Sequence, residues 1–217
     1  DNKKSRRILE QMIRRAIYNL SLTKAELKQL SAIKAWEGGH WDTPPNANIS
    51  AIKDKMRQQL EAVQTVCCYC GLKLKTTSNG EIEHVAPKSK HPEFTFTLKN
   101  LALACHYCNF SEKKGKKETI VAGRKHKTYS KCEFLLVHPY FDDPNLHYEW
   151  TDNAVEILIQ VRDNSPKGSF SITMFGLDTP QMNEARAAQV RIEELKAAKP
   201  LSVADEQLLS DTMNYKE

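Results

Sequence analysis

The chain has 217 residues, a formal net charge of +5 and 27% charged residues, with a pI near 8.8 and a mean hydropathy of −0.58. That length buries one substantial core, or one small functional module flanked by helical extensions, and one continuous unit is expected. No run of about 18 apolar residues occurs, so a membrane span is excluded, while the basic balance permits a polyanionic partner without requiring one.

The chain starts Asp1-Asn2-Lys3-Lys4, with neither an initiator Met nor the apolar core of a signal peptide. It is expected to be cytoplasmic, and either trimmed or preceded by a further segment. Residues 5–20 set Ile8, Met12, Ile13, Ala16, Ile17 and Leu20 at helical spacing, with Arg6, Arg7, Arg14 and Arg15 at other positions, which predicts an amphipathic basic helix. Thr23-Lys-Ala-Glu26 is a capping-box pattern for a second helix carrying Leu27, Leu30, Ile33, Ala35 and Trp36, stopped by Gly38-Gly39. Pro44-Pro45 marks a loop, and a third helix is expected over 50–64. From 65 to 115 the texture changes to short β-like pieces, turn residues and paired cysteines. Beyond it, 132–137, 154–161 and 170–175 are rich in β-formers and are expected to pair as a small sheet. Thr179-Pro180 opens a long helix to Ala198, Pro200 breaks it, and Ser202-Val-Ala-Asp205 caps a last one. The expected organisation is a helical region at 1–64, a compact module at 65–117, and a β-rich segment with helices at 118–217, an α+β fold.

Four of the six cysteines form two C-x-x-C pairs, Cys67/Cys70 and Cys105/Cys108. Each tight turn of this kind points two thiolates at one ion, and two together supply the tetrahedral set of a structural zinc. The competing interpretations are unrelated thiol pairs in a reduced core and a redox pair; the first pair opens no clear helix in a βαβ unit, which disfavours the latter. Cys68 competes with Cys67, but Cys68-Tyr69-Cys70 leaves a single intervening residue, so Cys67 is the expected ligand. Cys132 lies in an apolar run and is expected to be an ordinary buried thiol.

Between the pairs runs Glu81-Ile82-Glu83-His84-Val85-Ala86-Pro87-Lys88-Ser89, then Lys99-Asn100-Leu101, then Cys105-His106-Tyr107-Cys108-Asn109 with Lys113 and Lys114. In the order of these parts the chain resembles the HNH endonuclease family, over roughly a quarter of its length. The resemblance implies a ββα-metal fold, with a hairpin carrying the acid-His pair and a helix carrying the last Asn. His106 to Lys114, with Gly115 as its C′ residue, suits such a helix and would set Asn109 and Lys113 on one face. It further implies metal-dependent phosphodiester hydrolysis. His84 would take a proton from the attacking water, and Glu83 and Asn109 would offer hard oxygens to Mg²⁺ or Mn²⁺. Asn100 would order the loop and orient His84. Family members often have Asp where this chain has Glu83, and the extra methylene bears on the metal distance. A pleated strand sends Glu83 and His84 to opposite faces, so both reach one site only where the strand twists or ends.

From 113 to 131 the positive residues are Lys113, Lys114, Lys116, Lys117, Arg124, Lys125, Lys127 and Lys131, opposed only by Glu118. With Lys88 they are candidate phosphate contacts, against the usual fate of a charge run as a solvated loop. His106 is a phosphate contact or simply exposed; His40, His91, His126, His138 and His147 are assigned no chemistry. Phe134-Leu-Leu-Val-His-Pro-Tyr-Phe-Asp-Asp-Pro144 and Gly176-Leu177-Asp178, with Ile82 to Ser89 and Cys108 to Gly115, resemble HNH proteins found beside ATPases in Septu-type and retron-associated phage-defence systems. This implies an effector on nucleic acid, DNA favoured, under an ATPase partner that docks on amphipathic end helices; those helices equally suit packing on the chain's own core. A non-catalytic zinc module binding nucleic acid or protein is the competing function. It keeps the four cysteines but does not need Glu83, His84 and Asn109 in one site.

Overall fold

Thr23 starts the helix α1 (Lys24–Ser31) by the expected capping box: its hydroxyl accepts from the Glu26 N–H at 3.2 Å, and the Glu26 carboxylate accepts from the Thr23 N–H at 2.6 Å. The coordinates are a computed structural model that describes residues 8, 12–16, 19–75, 79–152, 156–198, 207 and 210. Helix α1 is shorter than its apolar pattern predicts. It ends at Ser31, and a 3₁₀ turn at Gly38–Trp41 follows. A Cβ on Gly38 would stand 2.8 Å from the Lys88 carbonyl oxygen, so glycine lets this turn close on the loop after His84.

The basic helix expected over 5–20 does not extend through its middle. Ile8 is helical, but 12–16 form a turn and a bend followed by irregular chain, and much of the rest lies outside the described residues. The reason is tertiary: the Ala16 N–H is given to the Pro139 carbonyl at 2.6 Å, and Arg15 Nε to the Tyr140 carbonyl at 2.9 Å.

Helix α2 (Ala47–Val63) is capped by Asn46 and buries Ile49, Ile52, Met56 and Leu60, a stripe at helical spacing. That stripe shares one apolar cluster with Leu101 and Leu103 of the hairpin, Phe134 and Leu136 beyond it, and Phe175 near the C-terminal end. The hairpin pairs β1 (Glu81–His84) with β2 (Leu101–Ala104) antiparallel, Glu83 opposite Ala102 and His84 opposite Leu101. Helix α3 (His106–Asn109) follows as a single turn. The helix expected to run to Lys114 is therefore cut short: Phe110 has ψ 151°, and Asn109 and Lys113 do not share a helix face.

The second sheet pairs β3 (Tyr148–Asp152) with β4 (Ile157–Val161). Of the three expected strands only the middle one forms. Residues 132–137 contribute an isolated bridge from Phe134 to Ile120. Residues 170–175 belong to helix α4 (Pro166–Phe175), where Ser165 accepts from the Gly168 N–H, Pro166 stands in the first turn, and Gly176 closes the end at φ 59°. Strong caps outweigh the β-propensity of Phe170, Ile172 and Thr173. Helix α5 (Pro180–Ala198) begins where Thr179-Pro180 predicts; the Pro200 break and the cap at 202–205 lie outside the described residues. The fold is α+β, as expected.

Candidate active site and metal centre

The two knuckles are built by short hydrogen-bonded turns. The Gly71 N–H closes the first on the Cys67 carbonyl at 3.0 Å, with Gly71 at φ 75°, and the Cys108 and Asn109 N–H groups close the second on the Cys105 carbonyl at 3.1 and 3.0 Å. The Cys68 N–H binds the Leu103 carbonyl at 3.0 Å and fixes the first knuckle to β2. Sulfurs of Cys67, Cys70, Cys105 and Cys108 consequently lie within 4.8 Å of one another. Cys70 and Cys105 sulfurs are 3.8 Å apart, which matches the edge of about 3.8 Å of a tetrahedron with zinc–sulfur bonds of about 2.3 Å. The donor set fits zinc. Cys68 stands outside the cluster, and burial, with its neighbour Cys67, pushes its thiol well above the ordinary range. Cys132 is an ordinary buried thiol, bonded to the backbone of His126.

Strand β1 ends at His84, and this resolves the pleat: Glu83 and His84 both line one open cleft of about 550 Å³, with Asn109, Lys88, Lys114 and Lys116. The His84 ring packs edge-on against Trp41 at 4.7 Å, and its Nε2 is 3.1 Å from the Thr95 carbonyl. A carbonyl only accepts, so Nε2 carries the ring proton and Nδ1 keeps a lone pair. Burial, with Lys114 and Lys88 adding to it, lowers the His84 pKa to about 3. The imidazole is neutral at pH 7.

Glu83 is 3% exposed. Its Oε1 accepts from the Tyr69 hydroxyl at 3.0 Å and lies 2.6 Å from Lys114 Nζ. Burial raises its pKa against the pull of Lys114 and Tyr69. Lys114 also donates to the His84 carbonyl. This corrects one expectation: Lys114, assigned to phosphate contact, is 1% exposed and serves the acid-His pair. Asn109 Nδ2 donates to Glu81 Oε2 at 2.7 Å, while Glu81 Oε1 meets His106 Nδ1 at 2.7 Å. Sequence reasoning missed Glu81, although its place two residues before Glu83, on the same strand face, was the available signal. Asn100 is buried and bonds the backbone of Ala86 and Phe94.

The basic stretch is less free than its composition implies. Lys125 pairs with Glu93, Lys88 with Asp42, and Arg124 with Glu133 at 3.7 Å, while Lys113 Nζ sits 4.9 Å over the Tyr107 ring. Lys116, Lys117 and Lys127 are exposed. No helix among the described residues is long and apolar enough to cross a membrane.

Residues 67–115 match the family model described as HNH endonuclease. The Septu protein PtuB of Bacillus mycoides (strain KBAB4) is 31% identical over 146 residues, covering 60% of this chain and 48% of that protein. The retron Vc95 HNH protein of Vibrio cholerae serotype O1 biovar El Tor is 26% identical over 160 residues, covering 70% of this chain and 72% of that protein. The chain thus spans about half the length of the first relative, 48%, and more of the second, 72%. The family resemblance drawn from the knuckles and the acid-His segment is borne out, and so is the likeness to Septu and retron proteins.

Proposed function

With the HNH endonuclease domain at residues 67–115 as premise, we propose that the chain hydrolyses phosphodiester bonds of nucleic acid, DNA before RNA, in the cleft at the end of β1. The observation that carries this is geometric: His84, held through Nε2 on the Thr95 carbonyl so that Nδ1 keeps its lone pair, lines the same cleft as Glu83 and Asn109. In this reading His84 Nδ1 takes the proton of the attacking water. Glu83 and Asn109 offer a carboxylate and an amide oxygen, hard donors that suit Mg²⁺ or Mn²⁺. Glu81 holds the Asn109 nitrogen, which leaves the amide oxygen for the cation. A bound divalent ion would supply charge neutralisation at the phosphate. Lys114 holds the Glu83 carboxylate and the His84 backbone in register, and exposed Lys116 and Lys117 meet the backbone phosphates.

The likeness to the Septu and retron proteins supports a role as a phage-defence effector, and an ATPase partner belongs to this proposal on the resemblance of the sequence segments alone. A non-catalytic zinc module is the alternative. The test is cleavage of plasmid by the purified chain with Mg²⁺ or Mn²⁺, against chelator and against His84→Ala. Loss of the general base is expected to cost about 10²- to 10⁴-fold in rate with zinc content and nucleic-acid binding retained. Equal single-turnover rates for wild type and His84→Ala would leave the non-catalytic module as the function.

A further inference from the structure

Asn100 is completely buried, and all four of its side-chain hydrogen-bonding positions are used. Its Oδ1 accepts from the Ala86 N–H at 2.7 Å and the Tyr129 hydroxyl at 2.8 Å; its Nδ2 donates to the carbonyls of Ala86 at 3.1 Å and Phe94 at 3.0 Å. Ala86 lies two residues after His84. Phe94 precedes Thr95, whose carbonyl holds the His84 ring. Asn100 therefore bridges the two backbone segments that carry the imidazole and its acceptor.

The bond from Tyr129 continues outward. The Tyr129 oxygen is 2.9 Å from His138 Nε2, and His138 Nδ1 is 3.1 Å from the Tyr140 N–H. An amide N–H only donates, so His138 Nδ1 holds a lone pair, Nε2 holds the proton and gives it to the Tyr129 oxygen, and the Tyr129 proton goes to Asn100. The chain of bonds has one direction. It is also rigid: His138 is stacked on Phe141 with centroids 4.2 Å apart, Tyr129 packs edge-on against Phe94 at 5.0 Å, and the backbone N–H of His138 donates to Asp142 at 2.8 Å. Burial, with Lys167 and Lys99 adding to it, keeps His138 neutral, which preserves that direction. Both residues lie beyond the matched segment 67–115.

We propose that Tyr129 and His138 are positioning residues for the His84 site: their relay fixes Asn100, and through it the placement of the His84 ring against the Thr95 carbonyl. The inference rests on the nuclease reading for its kinetic arm alone. Such a relay contributes to rate by holding the ring within tenths of an ångström of its productive place, and its loss acts on the chemical step and leaves substrate affinity alone.

The test uses the zinc-loaded full chain as Tyr129→Phe, His138→Leu and His138→Gln, assayed at a temperature where all are folded. Tyr129→Phe and His138→Leu are expected to lower the single-turnover rate roughly 10- to 100-fold with unchanged nucleic-acid Kd and zinc content. His138→Gln, whose amide nitrogen reaches the Tyr129 oxygen, is expected to recover most of it. In parallel, ¹⁵N spectra of the histidine rings are expected to show wild-type His84 and His138 protonated on Nε2, and a mixed His84 tautomer in Tyr129→Phe. A wild-type rate and an unchanged His84 signal in Tyr129→Phe overturn the proposal, as does Nδ1 protonation of wild-type His138. If Tyr129→Phe does not fold, the two His138 variants decide by the same readouts. If wild type itself does not cleave, the nuclease reading fails while the ring spectra still decide the relay.

Discussion

Lys114 Nζ lies 2.6 Å from Glu83 Oε1, with 1% and 3% of the two side chains exposed. Removing one partner of such a pair strands a buried charge, at a cost of about 3 to 5 kcal/mol. Lys114→Met is therefore expected to lower the denaturant midpoint sharply, and Glu83→Gln with Lys114→Met to recover much of it. Equal midpoints for wild type and Lys114→Met would show that the pair contributes nothing to the fold.

Exposed lysines act differently. Neutralising Lys116, Lys117 and Lys127 together is expected to leave stability and zinc content unchanged and to flatten the salt dependence of duplex binding, by about 0.9 in log-log slope for each phosphate that the chain no longer neutralises. The measurement is binding across a salt series. An unaltered slope would make this stretch a solvated loop.

Acid should destabilise the chain through His84. Its folded pKa is about 3, against about 6.5 in an unfolded chain. Above about pH 6.5 neither state binds the proton and stability is whole; as pH falls the unfolded state takes it first, so stability is lost progressively toward about pH 3, by at most about 1.4 kcal/mol per unit. His138, also pushed well below its ordinary value by burial, adds in the same direction. Urea midpoints of His84→Gln should depend less on pH than those of wild type over this window, and parallel curves would refute the assignment.

Arg186 is 1% exposed, and its Nη2 has no hydrogen-bond partner among the described residues. Its Nη1 donates to the Ile157 carbonyl and to Asn183 at 3.0 and 3.1 Å, and burial lowers its pKa to about 10 against the opposing pull of Cys70 and Asp178. Four thiolates around Zn²⁺ carry a net charge of about −2, which a buried cation offsets. Arg186→Met is expected to loosen zinc roughly 10-fold or more in chelator competition, with Arg186→Lys intermediate. Stripping zinc should also raise hydrogen exchange in α5, because Gln189 donates to the Gly71 carbonyl at 3.1 Å and accepts from the Lys73 N–H at 2.9 Å. Undiminished affinity in a folded Met variant would remove Arg186 from this role.

Glu81 offers a further check on the cleft. Glu81→Ala frees the Asn109 amide to rotate and is expected to raise the Mn²⁺ concentration for half-maximal cleavage roughly 10-fold. Metal titration of the rate measures it. An unmoved midpoint would mean that Asn109 is oriented without Glu81.

The sequence alone marked the four clustered cysteines and most of the polar residues that line the cleft. Two C-x-x-C pairs, the acid-His segment and the Asn that follows the second pair are local patterns, because knuckle turns and a strand end place neighbours in sequence next to each other in space. The capping box at Thr23 and the helix start at Pro180 are likewise local signals. Where two local signals competed, as at 170–175, Ser165 and Gly176 set a helix that the aromatic and β-branched run concealed. Only the tertiary structure decided which charges are buried and which are free. Lys114 and Lys116 look alike in a basic run, yet one neutralises Glu83 and the other lines open solvent. Likewise, nothing local connects Asn100 to Tyr129 and His138. Burial and pairing depend on chain segments that meet only after folding, and a buried polar group takes its partner from whichever segment packs against it.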